Sequence, residues 1–451
     1  MLDILVVVSL DSFIMKTRKI GLNLIVQVAI KFVAVILAIF TTRWLISNVE
    51  SSELANYNVG LAFVSVIISI VHAGIPNIIQ KFYTNESDKA DIGVFWSTFA
   101  LIRGVSYFIG LFLIVIFYRI TGVENLGLLA SIYSIMWLLT ADLSYRSICD
   151  ALAKTWQFNL TDVLSRVLIL LAISGYTLFR VQLYSPLNFF IAASGMSYFA
   201  GLMADAIWQR KHVVWKKPTL SMLKIYLPSL TFLWISAVCV ALFTTTDKLF
   251  LRYFGYSDEI INGYSNAYKL FETAGIIPGI AMPTVASLVK KKLDLLQEST
   301  LSIYLKQKLK LGVRLSILLE WVLYTLVIAM IICVFVVVIS PLLIRLIDKD
   351  LKYPLALSSA PIILLALAPL FFIYLFSLLT MFMNGEKYEM YGTMIILFFT
   401  TILYVVLIPR FGIVGASLAT LGGFMVDLCV KVYFFSRSFG EYSKLTKEKD
   451  N

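Results

Sequence analysis

Long apolar stretches separated by short polar connections follow one another along nearly the whole chain. A helix rises about 1.5 Å per residue, so about 20 apolar residues cross a hydrocarbon core of roughly 30 Å. About twelve stretches reach that length, which predicts an all-α polytopic membrane protein with about 12 transmembrane helices. Their bounds, from run length, are 19–47, 54–80, 91–118, 124–148, 156–179, 185–208, 223–251, 262–289, 312–344, 355–383, 388–409 and 412–436.

Two of these stretches share a layout that indicates internal duplication. Tyr57 to Pro76 and Tyr264 to Pro283 set a tyrosine and a proline the same distance apart, and each follows a Thr-Thr-charged triplet, at 41–43 and 245–247. With six spans in each half, which is an even number, the first span of both halves would begin on the same side of the membrane. We therefore expect two six-helix bundles related by a pseudo-two-fold axis along the membrane normal.

Composition excludes the soluble class of protein. Hydrophobic residues make up 60% of the 451 residues and charged residues 14%, with a mean hydropathy of +0.87, whereas soluble domains carry about 25% charged residues. The predicted layout is an N-terminal cytoplasmic or interfacial segment 1–18, a six-helix bundle 19–208, a basic cytoplasmic linker 209–222, a second six-helix bundle 223–436 and a cytoplasmic tail 437–451.

Lysine and arginine collect in alternate loops, which predicts the orientation. One set of loops holds about 24 of them and the other set about 7, and cytoplasmic loops keep the positive charge during insertion. Both termini are predicted to be cytoplasmic, in a multi-pass protein of the plasma (inner) membrane. The formal net charge of +11 is accounted for by this bias and by anionic membrane lipids, so no nucleic-acid partner is predicted.

The residue types that usually carry catalysis do not form a recognisable pattern. The four cysteines stand singly, without metal-binding or redox spacing, and neither His72 nor His212 has an identifiable partner. The chain also has no GxxxxGK[ST] phosphate-binding loop, which argues against ATP hydrolysis. We therefore predict a protein that is not an enzyme and has no metal or other cofactor.

Charged residues inside the apolar stretches are the informative chemistry, since an ionised group at bilayer depth costs at least about 2.5–3.5 kcal/mol unless it is paired or hydrated. Some have an opposite charge four residues away on the same helix face: Asp142 with Arg146, Asp162 with Arg166, and Asp427 with Lys431. Others have no such partner on their own helix, and these indicate a hydrated solute path: Lys31, Arg103, Asp247, Lys248 and Glu320. Lys269 and Glu272 are i,i+3 neighbours in a stretch rich in proline and glycine.

Several segments carry a family resemblance. They are TTDKLFL at 245–251, GYSNAYKL at 263–270, the Ile277-Pro278 to Met282-Pro283 stretch, and IPRFGIVGASLAT at 408–420. They resemble the seventh, eighth and last spans of Wzx-type flippases of lipid-linked oligosaccharides. That family lies in the MOP superfamily, which also holds drug and toxin extrusion (MATE) transporters and the peptidoglycan-precursor flippase MurJ.

The resemblance implies that an isoprenoid-pyrophosphate-linked oligosaccharide is carried from the cytoplasmic to the outer leaflet for cell-surface polysaccharide biosynthesis. It also implies glycosyltransferases and a polysaccharide polymerase as partners. With no ATP site, coupling to a proton or sodium gradient is the expected energy source.

Roles for individual residues follow from their chemistry. We predict pyrophosphate binding by Lys31, Arg103, Lys248 and Lys269 and sugar contacts by Tyr57, Asn58, Tyr264, Asn266 and Tyr268. Ion coupling is predicted for Asp247, Glu272 and Glu320, and helix hinges for Pro76, Pro278 and Pro283.

Three alternatives remain open. A multidrug extruder of the same superfamily would bind organic cations through aromatic rings and carboxylates. A membrane enzyme, such as a polysaccharide polymerase or glycosyltransferase, would need a sizeable catalytic loop, and the connections here are short. A scaffold without transport activity would leave the unpaired charges unexplained.

Overall fold

The computed structural model describes residue 26 and residues 29–448, with gaps at 73, 77, 80–91, 122, 124, 152–154, 180–184, 211–214, 299–302 and 384. The predicted N-terminal segment 1–18 therefore lies outside the described residues. Helices account for almost all of the described chain, and no strand occurs in it. The predicted all-α class is confirmed.

The helix boundaries follow the apolar stretches closely. The helices are α1 (Ala29–Asn48), α2 (Ser51–His72), α3 (Ile92–Phe117), α4 (Leu126–Ala151), α5 (Thr155–Leu178), α6 (Pro186–Gln209), α7 (Leu220–Tyr253), α8 (Asp258–Glu298), α9 (Ile303–Ile347), α10 (Ala356–Leu364), α11 (Leu367–Phe382) and α12 (Glu386–Glu448). We call α1–α6 the first half and α7–α12 the second half.

Ten segments of the described chain are long and apolar enough to cross a membrane. The predicted span 355–383 is made of two consecutive helices, α10 and α11, which together form one of the ten. The helix α8 is not among the ten, although its 41 residues exceed the length of a span. Its polar residues lower its hydropathy, as expected for a helix that faces a polar interior rather than lipid.

The last helix, α12, is a hairpin of two long arms. Gly412 interrupts it with φ 56° and ψ −129°, a conformation that only glycine adopts readily. The two arms then run side by side, since the Tyr388 and Phe434 rings stack with centroids 5.7 Å apart. The predicted spans 388–409 and 412–436 correspond to these arms.

Glycine also ends α2. Gly74 has φ +82°, and a Cβ at this position would lie 3.1 Å from the backbone nitrogen of Trp234 on α7. The indole of Trp234 donates a hydrogen bond to the carbonyl of Ile70 (2.6 Å). The close approach of α2 and α7 therefore depends on the absence of a side chain at Gly74.

The two halves are joined by polar contacts at the end of the bundle that holds the turns 48–51, 253–258 and 347–356, which we call the predicted outer end. Asn262 on α8 accepts a hydrogen bond from Asn58 (3.0 Å) and donates to the carbonyl of Ser51 (2.8 Å). Tyr353 contacts the hydroxyl of Ser51 (3.1 Å), and Arg252 donates to Asn56 (2.8 Å). These contacts hold α2 against the second half.

Candidate functional site

Charged side chains of the first half form a group between α1 and α5. The Lys31 ammonium lies 2.6 Å from one carboxylate oxygen of Asp162, and the Arg166 guanidinium lies 3.2 Å from the other. Lys31 is 8% exposed. The predicted i,i+4 pair of Asp162 and Arg166 is present, and Lys31 shares the same carboxylate from another helix. Lys31 and Arg166 therefore contact the same carboxylate.

A second pair of carboxyls lies nearby, between α4 and α6. The carboxyls of Asp142 on α4 and Asp205 on α6 lie close enough to interact directly. The Thr161 hydroxyl donates to Oδ2 of Asp205 (2.8 Å). The Oδ1 atom of each aspartate has no hydrogen-bond partner in the described part of the chain. The sequence interpretation paired Asp142 only with Arg146 and did not single out Asp205, because nothing in linear spacing brings α4 and α6 together.

The second half buries Asp247 among tyrosines. Tyr264 donates to Oδ2 of Asp247 (2.5 Å), and the backbone nitrogen of Lys248 donates to Oδ1 (2.7 Å). The Tyr264 hydroxyl also contacts Thr420 (3.0 Å), which in turn contacts Tyr404 (3.2 Å). The carboxylate is thereby held by a network that joins α7, α8 and both arms of α12.

The lysines of the second half lie beside this network. The Lys248 ammonium is 4.5 Å from the centre of the Tyr268 ring, a cation–π distance. Lys269 interacts electrostatically with both Lys248 and Glu272. Glu272 is exposed although it lies well inside α8. Tyr268, Lys269 and Glu272 lie on α8, and Lys248 approaches them from α7.

Tyr374 on α11 interacts electrostatically with charged or polar side chains of both halves. It is within electrostatic range of Tyr268 in the second half and of Arg146 in the first half, and Arg146 is within range of Lys31. Among the predicted anion-binding residues, Lys248 and Lys269 lie within electrostatic range of each other in the second half, and Lys31 lies in the first half.

Arg103 on α3 contacts the neighbouring helix α4. Its guanidinium donates to the carbonyls of Thr140 (2.8 Å) and Ala141 (3.2 Å) and to the hydroxyl of Ser144 on α4. It is nearly buried between α3 and α4, and its Nε has no hydrogen-bond partner among the described residues.

The residues predicted to contact sugar are mostly buried. Asn58, Tyr264, Asn266 and Tyr268 are each at most 2% exposed, and Tyr57 is half-buried against the Phe190 ring, with centroids 6.1 Å apart. Both amide atoms of Asn266 lack a partner within the described chain. Sugar binding by these residues stays a prediction and would require a different conformation of the bundle.

The remaining predicted residues are placed as follows. Glu320 is exposed on α9 beside Leu319, which is also exposed. Pro278 is buried within α8, which continues as a helix through Pro278 and Pro283. Pro76 follows the break at Gly74. The hinge roles of the three prolines stay predictions.

One predicted pair has a different partner. Lys431 donates to Glu389 on the other arm of α12, and Ser377 donates to the same carboxylate oxygen (2.8 Å). Oδ1 of Asp427 has no partner in the described chain. The hairpin places Glu389 against Lys431, which four-residue spacing does not reveal.

Comparison with known proteins gives the fold a context. No protein-family model and no curated protein sequence matches the chain. An inward-facing multidrug resistance MATE transporter of the MOP superfamily is similar over 94% of this chain and 99% of its own, with a TM-score of 0.67 and 12% identity. The Vibrio cholerae MATE transporter VcmN is similar over 95% and 98%, with a TM-score of 0.66 and 12% identity.

A third similar structure is a MOP superfamily transporter from Pyrococcus furiosus. The reverse polarity of its binding pocket is described as suggesting a different function for that protein. It covers 94% of this chain and 95% of its own, with a TM-score of 0.61 and 11% identity. At 11% to 12% sequence identity, the similarity concerns the fold alone. The chain has the fold of the MATE transporters of the MOP superfamily.

Proposed function

We propose that the chain transports an isoprenoid-pyrophosphate-linked oligosaccharide from the cytoplasmic to the outer leaflet of the plasma membrane, with both termini cytoplasmic. Glycosyltransferases that assemble the oligosaccharide and a polymerase that consumes it would be its partners. The headgroup would be bound in the interior region around Tyr374, and the isoprenoid tail would stay in lipid.

The sharing of Asp162 by Lys31 and Arg166 is the observation that carries the proposal. Lys31 and Arg166 hold two positive charges beside one carboxylate, and both are donors of charge-assisted hydrogen bonds to an anion. A pyrophosphate offers several acceptor oxygens and can compete for both cations. Lys248 and Lys269 extend positive charge onto the second half.

The coupling ion is part of the proposal. Asp247 and Glu272 remain candidates, and the Asp142–Asp205 pair adds another, because two neighbouring carboxyls can take up and release a proton when the helices move. In this scheme a proton moves inward as the lipid headgroup moves outward.

Reconstitution in liposomes tests the transport function. The measurement is arrival of purified lipid-linked oligosaccharide in the opposite leaflet, at equal amounts of inserted protein. We expect Lys31→Ala and Lys269→Ala to lower the rate about tenfold or more, because each removes a charge-assisted contact to the headgroup. Lys387→Ala is the matched control, since Lys387 is exposed near the start of α12. Flipping at the wild-type rate by both variants would contradict the proposal.

A multidrug extruder is the second candidate, favoured by the buried carboxylate of Asp247 amid Tyr264, Tyr268 and Tyr404. A carboxylate among aromatic rings suits an organic cation. The similar structures include a transporter described as a multidrug resistance protein. Efflux of a fluorescent organic cation from the same liposomes, without movement of the lipid-linked sugar, would favour this candidate over the first.

A further inference from the structure

A cavity of about 200 Å³ lies in the first half. Its walls come from Ile75 and Ile79 after α2, from α3, α4 and α6, and from the extended segment before α7. Aromatic rings dominate its lining: Trp96, Phe99, Trp137, Tyr145 and Trp215 surround Arg103. An aromatic pocket around a guanidinium is suited to a molecule with an apolar body and acceptor oxygens.

Two buried donors in this lining have no acceptor. The Trp96 indole Nε1 and the Arg103 Nε both lack a hydrogen-bond partner among the described residues, and their residues are 4% and 8% exposed. Leaving buried donors unsatisfied is costly, so their presence together in one cavity indicates a bound group that accepts from them. The two residues are seven positions apart on α3, about 10 Å along the axis, so the ligand needs acceptors at two depths.

The cavity opens toward lipid. Met203 and Trp215, which line it, are 42% and 66% exposed. Next to Met203 on α6, Phe199 and Ile207 are exposed apolar side chains. In a membrane-spanning bundle such a face contacts acyl chains.

Basic residues surround the mouth, at the end of the bundle predicted to be cytoplasmic. The backbone nitrogen of Lys216 donates to Ser97 (2.9 Å), and that of Thr219 donates to Thr98 (3.1 Å), so the 215–219 segment is fixed beside the start of α3. The side chains of Lys216 and Lys217 are exposed there. Such a position attracts anionic headgroups.

We propose that this cavity is a binding site for one anionic glycerophospholipid of the cytoplasmic leaflet. Its phosphate accepts from Trp96 at the basic mouth, and an ester oxygen deeper in the cavity accepts from Arg103. A glycerophospholipid carries acceptors at both depths and apolar chains that leave through the opening between α3 and α6. The proposal does not depend on which solute is carried.

Native mass spectrometry of the purified full-length chain, titrated with phosphatidylglycerol or phosphatidylcholine, tests the proposal. We expect one phosphatidylglycerol to bind in preference to phosphatidylcholine. Trp96→Phe keeps an aromatic ring but loses the donor, so binding should weaken about fivefold, as for one hydrogen bond. Arg103→Gln should weaken it further. Trp208→Phe is the control, because Trp208 is an exposed tryptophan near the end of α6 that does not line the cavity.

Three outcomes would overturn the proposal. The first is equal phosphatidylglycerol binding by Trp96→Phe and the Trp208→Phe control. This comparison tests the site even if Arg103→Gln fails to fold. The second is equal binding of the two phospholipids by the wild type. The third is preferential retention of an isoprenyl phosphate, because the cavity would then belong to the transported lipid.

Discussion

At the scale of single residues, Asp205 has a buried carboxyl in contact with a second carboxyl. We expect Asp205→Asn to abolish stimulation of transport by a proton gradient while leaving downhill exchange measurable, because an amide beside Asp142 cannot take up and release a proton. Transport in liposomes with and without an imposed pH gradient measures this.

The control for that experiment is Glu259→Gln, which removes an exposed carboxylate in the first turn of α8. Its stimulation by the gradient should equal that of the wild type. A gradient response that survives in Asp205→Asn but disappears in Asp247→Asn would instead place the coupling site in the second half.

Residue chemistry was predictable from the sequence only in part. Charges in apolar stretches mark Lys31, Lys248 and Lys269, and the structure places Lys248 within electrostatic range of Lys269 and Lys31 against Asp162. Their partners were not predictable, since Lys31 meets Asp162 from 131 positions away. Arg103 has the same pattern in the sequence as Lys31, yet it contacts α4 carbonyls beside a lateral cavity. Helix packing decides which buried charges meet.

At the scale of elements, the turn of α12 depends on Gly412. We expect Gly412→Ala to destabilise the chain by about 1–3 kcal/mol, because alanine strongly disfavours a φ of 56° with a ψ of −129°. Thermal unfolding in detergent measures the change. Gly104→Ala is the matched control: a Cβ there meets nothing within 4 Å and should raise helix stability by up to about 1 kcal/mol. Equal melting temperatures for the two variants would contradict this account of the turn.

Elements were more predictable than contacts. Apolar runs of about 20 residues predict membrane helices because hydrocarbon satisfies no backbone polar group, and the bounds of α3 and α6 agree with the predicted spans within a residue or two. The end of α2 at Gly74 was not predicted. Proline at position 76 was the visible signal, whereas the physical cause is the close approach of α7.

At the scale of the whole molecule, the repeated layout of Tyr57–Pro76 and Tyr264–Pro283 predicts two related halves, but it does not reveal how they meet. The structure places α2 and α8, the helices that carry this layout, in contact through Asn58 and Asn262. The asparagines are not equivalent positions in the two copies. The interface between the halves is therefore asymmetric in detail, even though the repeat is visible in the sequence.

Alternating access requires that this interface separate when the cavity opens outward. Asn262 makes hydrogen bonds to Asn58, to the Ser51 carbonyl and to Tyr353 (3.3 Å). We expect Asn262→Ala to weaken the closed outer end by about 1–2 kcal/mol net, which is roughly a tenfold shift toward separated halves. Spin labels at Ser52 and Asp350, both exposed on opposite halves of this end, would report the change as a larger fraction of long distances.

Asn48→Ala is the control for this shift, because the Asn48 amide donates only within α1, to the carbonyl of Trp44 (2.8 Å). Its distance distribution should match that of the wild type. Addition of lipid-linked oligosaccharide tests whether the hydrogen bonds of Asn262 form a gate. If they do, substrate should lengthen the distance between the spin labels in the wild type and change it less in Asn262→Ala. An unchanged distribution in Asn262→Ala would mean that other contacts hold the outer end closed, with Arg252 to Asn56 the next to test.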